Sequence, residues 1–324
     1  MIVVMQEGSN EEQVQTVIDR MVELDFTVHR STGIVHTILG GVGPEERVNP
    51  AEFEEMPGVK ECRRIIAPYK LASRHFRAHR TEIQAGAHVI GGSALWIAAG
   101  LPETSVGQMH EAVASVAAAG AAAIKPRAVL RAGDDLLKVA REAATQHKLS
   151  LVAEVADAGE VALADWHADI LQVPGRSMQQ RSLLHELGRL RKPVLLERSN
   201  AATVEELLIA AEAILTGGNY HVILCESGIR TFVSAQNTMD LAAIAVAKKY
   251  SHLPVLVDPS SGTGRRGMVP SVARAAIAAG ADGLLLDVQP GAAQPTNARA
   301  LTVESFSALV RQLNQIASVT DRSE

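Results

Sequence analysis

Val255-Leu-Val-Asp-Pro-Ser-Ser-Gly-Thr-Gly-Arg-Arg266 is the stretch on which the reading of this chain turns. A short aliphatic run ends in Asp258-Pro259, passes through small residues and closes on two arginines. That order predicts a buried strand delivering an acid, a flexible loop and positive charge to one edge of a sheet. In a barrel of alternating strands and helices, such strand ends converge on one mouth, where ligands bind.

The same unit recurs on both sides of it. Strands are expected at 95–99, 121–124, 151–154, 170–173, 194–197, 222–226, 255–258 and 283–288. Helical periodicity fills the intervals, and a last helix is expected at 303–316. Eight strand-helix units predict a (β/α)8 TIM barrel over residues 95–324. A doubly wound open sheet is the competing architecture, but no glycine fingerprint for a dinucleotide follows the first strand.

Upstream the pattern differs. Residues 2–5 read as a buried strand, and Ser9 with Glu12 as a capping box opening a helix to about residue 24. Strands at 26–30 and 34–39 are joined by Ser31-Thr32-Gly33, and Gly40-Gly41-Val42-Gly43-Pro44 is expected to break the second. A short helix near 50–55 and a strand near 59–66 complete a β-α-β-β-α-β unit. That order predicts a small ferredoxin-like α+β domain at 1–66, for regulation or oligomerisation. Residues 67–94 read as a linker followed by a small hairpin at 84–90.

Composition narrows the function classes. Aromatic residues are only 3% of the chain, so the core must be aliphatic and alanine-rich. A formal charge of −5, with dispersed basic residues, argues against nucleic acid or an anionic membrane as partner. Cys62 and Cys225 cannot build a disulfide framework and fit a reducing, cytoplasmic setting. No apolar run is long enough to span a bilayer.

Polar residues at the expected strand ends are the site candidates. They are Glu103, Lys125 and Arg127, Glu154, Arg176, Glu197 and Arg198, Glu226 and Arg230, then Asp258, Arg265 and Arg266, and finally Asp287 and Gln289. Guanidinium forks match phosphate oxygens, so the set predicts a phosphorylated small-molecule ligand, although single arginines there can equally pair with Glu154, Glu226 or Asp258. No metal cluster follows from spacing: His221 and Cys225 share a strand face, which a core thiol explains.

Several motifs carry a resemblance. Lys125-Pro-Arg127, Asp169-Ile-Leu-Gln172 with Arg176, and Lys192-Pro-Val-Leu-Leu196 are three of them. Gly218-Asn219 with Val222-Ile-Leu-Cys-Glu226, Gly228-Ile-Arg-Thr-Phe232 and Ser251-His-Leu-Pro254 add more. With the opening stretch, they resemble the 3-deoxy-D-arabino-heptulosonate 7-phosphate (DAHP) synthases. Pro68-Tyr-Lys-Leu71 and the N-terminal unit resemble the branch carrying a ferredoxin-like domain. The resemblance implies condensation of phosphoenolpyruvate with erythrose 4-phosphate in aromatic amino acid (shikimate) biosynthesis, with a divalent metal held by a cysteine, a histidine, a glutamate and an aspartate.

This chain departs from that pattern. Gly100-Leu-Pro-Glu103 puts Pro102 at the cysteine, Ser261 stands at the histidine and Asp287 at the glutamate, with Gln289 after it. Thr296-Asn-Ala-Arg299 occupies the region of the aspartate, Glu197 replaces a lysine, and Ser227 an arginine. Lys125, Arg127, Glu154, Arg176, Arg230, Asp258, Arg265 and Arg266 remain as substrate- or phosphate-binding candidates. The expectation is therefore a non-catalytic homologue with no cofactor. It would bind a phosphorylated metabolite, or join a homo-oligomer or a hetero-oligomer with an active synthase. The alternatives are a working or weakly active synthase, and an enzyme of changed chemistry using Glu103, Glu197 or Asp287.

Overall fold

The computed structural model describes residues 1–324 apart from 33–35, 45–47, 65–67, 103, 128–129, 131–133, 233–236, 292–294, 296 and 321–324. It divides into two compact units. The first is Met1–His79 with Tyr250–His252, and the second is Arg80–Lys249 with Leu253–Glu324.

The first unit is built on an antiparallel sheet in the order β2-β3-β1-β4. Its strands are β1 (Ile2–Met5), β2 (Thr27–Thr32), β3 (Thr37–Val42) and β4 (Val59–Arg63). The helix Glu11–Glu23 lays Val14, Val17 and Met21 into a core with Val3, Met5, Leu39 and Phe53. This is the ferredoxin-like arrangement expected, with two local corrections. Asn10, not Ser9, caps the helix: its Oδ1 accepts from the Gln13 amide at 2.9 Å, and Gln13 Oε1 accepts in return from the Asn10 amide. Ser9 is occupied elsewhere, donating its hydroxyl to the carbonyls of Gln6 and Gly58. Strand β3 runs through Gly40 and Gly41 instead of breaking there. A Cβ at Gly40 would lie 2.8 Å from the Phe76 ring, so the glycine marks a close approach of packing and not a turn. The expected turn glycine, Gly33, lies outside the described residues.

The second unit opens with a hairpin, β5 (Ile83–Ala85) and β6 (His88–Ile90). Eight parallel strands then close into a barrel. They are β7 (Trp96–Leu101), β8 (Ala123–Pro126), β9 (Ser150–Glu154), β10 (Ile170–Val173), β11 (Val194–Glu197), β12 (Val222–Glu226), β15 (Val255–Val257) and β16 (Gly283–Asp287). Between β12 and β15 lies a short antiparallel pair, β13 (Ile229–Arg230) and β14 (Asn237–Thr238). Strands covered on both faces read as unbroken aliphatic runs, which is why their positions were predictable.

Inward-facing Trp96, Ala98, Ala123, Val152, Ile170, Leu195, Ile223, Leu256 and Leu285 fill the barrel. Ile83, Ala85 and Ile90 of the hairpin join the same core, and Ser150 at the start of β9 donates its hydroxyl to the Ala85 carbonyl at 2.7 Å. The hairpin therefore closes the N-terminal floor and leaves the C-terminal ends of the strands open. Asp282 fixes the floor beside β15: it is fully buried, accepts from the Val255 amide at 2.7 Å, and pairs with Lys248 and Arg80. No helix among the described residues is long and apolar enough to cross a membrane.

Candidate active site

At the open end the strand termini line a cavity of about 690 Å³. That falls within the roughly 300–1,000 Å³ of small-molecule sites. Strand ends deliver part of its wall: Gly100 and Leu101 from β7, Lys125 from β8, Glu154 from β9, Glu197 from β11 and Asp287 from β16.

The opening stretch folds differently from the flexible loop expected. Pro259–Thr263 is a helical turn, capped because Asp258 Oδ1 accepts from the Ser261 amide at 2.8 Å. Pro259 suits its first position, and Gly264 ends it in the left-handed region at φ 64°. The turn buries Ser260, whose hydroxyl accepts from the Asp287 amide at 2.9 Å, and presents Ser261 to the cavity.

Five of the eight predicted binding residues meet in this cavity: Lys125, Arg127, Glu154, Arg176 and Asp258. Glu154 sits between two cations, 2.8 Å from Arg176 and 3.7 Å from Lys125. The other three are placed elsewhere, which corrects the expectation. Arg230 is exposed on β13, where its backbone amide donates to the Asn200 carbonyl. Arg265 is exposed on the turn after the short helix. Arg266 bonds the loop after β16, its Nη2 reaching the Pro295 carbonyl at 2.8 Å and its amide the Ala298 carbonyl at 2.8 Å. All three follow strand ends, but none is among the residues that line the cavity.

Two strand-end acids diverge. Glu226 is buried and pairs at 2.5 Å with Arg198, which also reaches Asp240 at 3.1 Å. This ion pair braces β11 to β12 and leaves Glu226 outside the cavity wall. Glu197 does line the cavity, accepting from Gln172 Nε2 at 3.0 Å. Burial pushes its carboxyl above the usual carboxylate range; Lys125 opposes the shift and Asp258 adds to it. Asp287 is raised too, first by burial and then by Asp258, against Arg299, Lys125 and Arg127. Glu103 lies outside the described residues.

Arg299 was overlooked because it follows an irregular stretch with no strand or helix signal. It reaches back into the cavity, with Nε 3.5 Å from Asp287 Oδ2 and Nη1 donating to Ser261 Oγ at 3.5 Å.

The residues at the four implied metal positions do not fit a divalent ion. Pro102 has no side-chain donor atom, and Ser261 offers a neutral hydroxyl. Asp287 supplies one carboxylate, already facing the Arg299 guanidinium. Thr296 lies outside the described residues, and Asn297 Oδ1 accepts from the Arg299 amide at 3.0 Å. Among the described residues no three His, Cys, Asp or Glu side chains converge as a ligand set.

Comparison with known proteins places this geometry. The model of the DAHP synthetase I family matches residues 131–322, and that of the DAHP synthase ferredoxin-like domain matches residues 1–67. The phospho-2-dehydro-3-deoxyheptonate aldolase of Thermotoga maritima is 36% identical over 98% of this chain and 98% of its own length. A crystal structure of that Thermotoga maritima protein superimposes with a TM-score of 0.73 at 34% identity, covering 98% of this chain and 96% of that one. The 2-dehydro-3-deoxyphosphooctonate aldolase of Syntrophotalea carbinolica is 28% identical over 48% of this chain and 59% of its length. The end-to-end likeness to the Thermotoga protein overturns the expectation of a non-catalytic homologue and supports a working synthase. That expectation counted lost ligands and did not count the arginine that had entered among them. With its barrel matched over most of its length and its N-terminal unit matched as well, the chain belongs to the DAHP synthetase I family.

Proposed function

We propose that this protein condenses phosphoenolpyruvate with erythrose 4-phosphate to the seven-carbon 3-deoxy-heptulosonate 7-phosphate. The observation that carries the reading is the cluster of Lys125, Arg127 and Arg176 around a barrel-mouth cavity, in a chain 36% identical to a heptonate aldolase throughout.

The chemistry asks three things of such a cavity. It must hold two phosphorylated anions, stabilise charge on the aldehyde oxygen as the enol carbon bonds to the aldehyde carbon, and admit one water that replaces the departing phosphate. Lys125 and Arg127 offer donors for phosphate and carboxylate oxygens. Arg176 and Glu154 form a pair that an entering phosphate can open, its oxygens replacing the carboxylate at the guanidinium. Glu197, held with a raised pKa, stays protonated more readily than an ordinary carboxylate and so tolerates an anion beside it. Asp258 orders the short helix that presents Ser261. Among the described residues the cavity's donor set does not fit a divalent metal. The N-terminal unit is proposed to serve homo-oligomer assembly or effector binding, in a cytoplasmic enzyme of aromatic amino acid biosynthesis.

The test is product identification by mass spectrometry. The expected product has seven carbons and forms from erythrose 4-phosphate. An eight-carbon product formed preferentially from a five-carbon aldose phosphate would move the chain to the octonate chemistry of its more distant relatives. No product from either aldehyde would refute the reading.

A further inference from the structure

We propose that the guanidinium of Arg299 supplies the positive charge at the aldehyde oxygen, in a site that works without a divalent ion. This rests on the synthase reading above and adds to it the source of the charge.

The placement argues for it. Asp287 and Ser261 occupy two of the positions where the resemblance implies metal ligands, and Arg299 contacts both, at 3.5 Å each. A fixed cation thus lies among these positions, where a second positive charge would be repelled. Asp287 is set for this arrangement. Gly100 lies opposite it on β7, and a Cβ there would be 2.6 Å from Asp287 Oδ1, so the glycine leaves room for the carboxylate against the strand. Asp287 Oδ2 is buried and makes no hydrogen bond, which leaves an acceptor facing the guanidinium and a ligand hydroxyl.

The loop carrying Arg299 is pinned on both sides. Arg266 holds it through the Pro295 and Ala298 carbonyls, and Asn297 accepts from the Arg299 amide while its own amide donates to Gln289. A guanidinium carries five N–H donors, and two of them face Asp287 and Ser261. The rest of the fork is available to an oxygen in the cavity. In the addition step the enol carbon of phosphoenolpyruvate bonds to the aldehyde carbon, and the C=O electron pair moves onto oxygen beside Arg299. A proton from solvent or a cavity acid completes the hydroxyl, and Arg299 keeps its own protons. A preorganised cation of this kind contributes by stabilising charge as it develops.

Three measurements on the full chain test it. Manganese titration followed by electron paramagnetic resonance should show no site tighter than about 1 mM, the weak end for carboxylate sites. Turnover should be equal in excess chelator and in manganese, and Arg299→Gln should lower kcat about 100-fold. Calorimetry should show erythrose 4-phosphate binding at least about 10-fold more weakly to Arg299→Gln than to the unmodified chain. A stoichiometric micromolar manganese site, chelator-sensitive turnover, or unchanged kcat and affinity in Arg299→Gln would each overturn the proposal. If neither protein turns over, the synthase reading fails, and calorimetry still decides: equal affinity overturns the Arg299 assignment, and the expected loss keeps it as the aldehyde-binding cation.

Discussion

Glu197 is the residue whose charge is hardest to reconcile with two anionic substrates. It faces the cavity, and burial holds its carboxyl above the ordinary range, so the neutral form persists to higher pH than in water. As pH rises through the folded pKa, Glu197 ionises and repels phosphoenolpyruvate, so KM should climb. Glu197→Gln, which keeps an acceptor for Gln172, should remove that climb and lower KM on its high-pH side by about 10-fold, the effect of one charge of this kind. Steady-state kinetics across pH checks it, and a higher KM in Glu197→Gln would contradict it. At this scale legibility was uneven. Lys125, Arg127, Glu154, Arg176 and Asp258 were readable because strand ends point into the mouth. Arg265 and Arg266 obeyed the same logic and failed it, because a helical turn that no periodicity marks lies between them and their strand. Arg299 gave no signal, since its place is set by the Arg266 and Asn297 hydrogen bonds of an irregular loop.

Between elements, the buried Arg198–Glu226 pair joins β11 to β12, with both side chains only 4% exposed. Arg198→Met would leave Glu226 buried without its cation. The expected loss is about 3–5 kcal/mol of stability, read from denaturant unfolding, and a loss under about 1 kcal/mol would show that β12 holds without the pair. His252, which belongs to the N-terminal unit, donates its ring Nε2–H to the Leu71 carbonyl at 2.7 Å and, with its pKa lowered, is a neutral donor there. Burial pulls its pKa down to about 4, the Leu71 contact opposes this, and Arg77 and Arg74 add to it. The unfolded chain therefore binds the proton more tightly. The stabilisation is complete above about pH 6.5 and is lost as pH falls toward 4, by up to about 3 kcal/mol. Unfolding midpoints of the chain and of His252→Gln should diverge above that window and converge below it; parallel curves would contradict the assignment. The barrel strands were legible because burial on both faces leaves unbroken aliphatic runs. The Asn10 cap and the course of β3 through Gly40 were not, because each depends on a tertiary partner, Gly58 for Ser9 and Phe76 for Gly40.

For the whole molecule, the repeat of eight strand-helix units was enough to reach the barrel, and the β-α-β-β-α-β order to reach the N-terminal unit. Activity was misjudged for a physical reason. Pro102, Ser261 and Asp287 mark altered metal-ligand positions, and the expectation of lost catalysis rested on them; the cavity also holds Arg299 beside Lys125, Arg127 and Arg176. Folding brings Arg299 back from a loop to the residues whose ligand chemistry had changed. Charge at a site is a property of the closed barrel and cannot be summed motif by motif. The direct test is inorganic phosphate released from phosphoenolpyruvate by the purified chain, with and without erythrose 4-phosphate. One phosphate per condensed product, released only when the aldehyde is present, is the predicted result; no aldehyde-dependent release would contradict the assignment as a synthase.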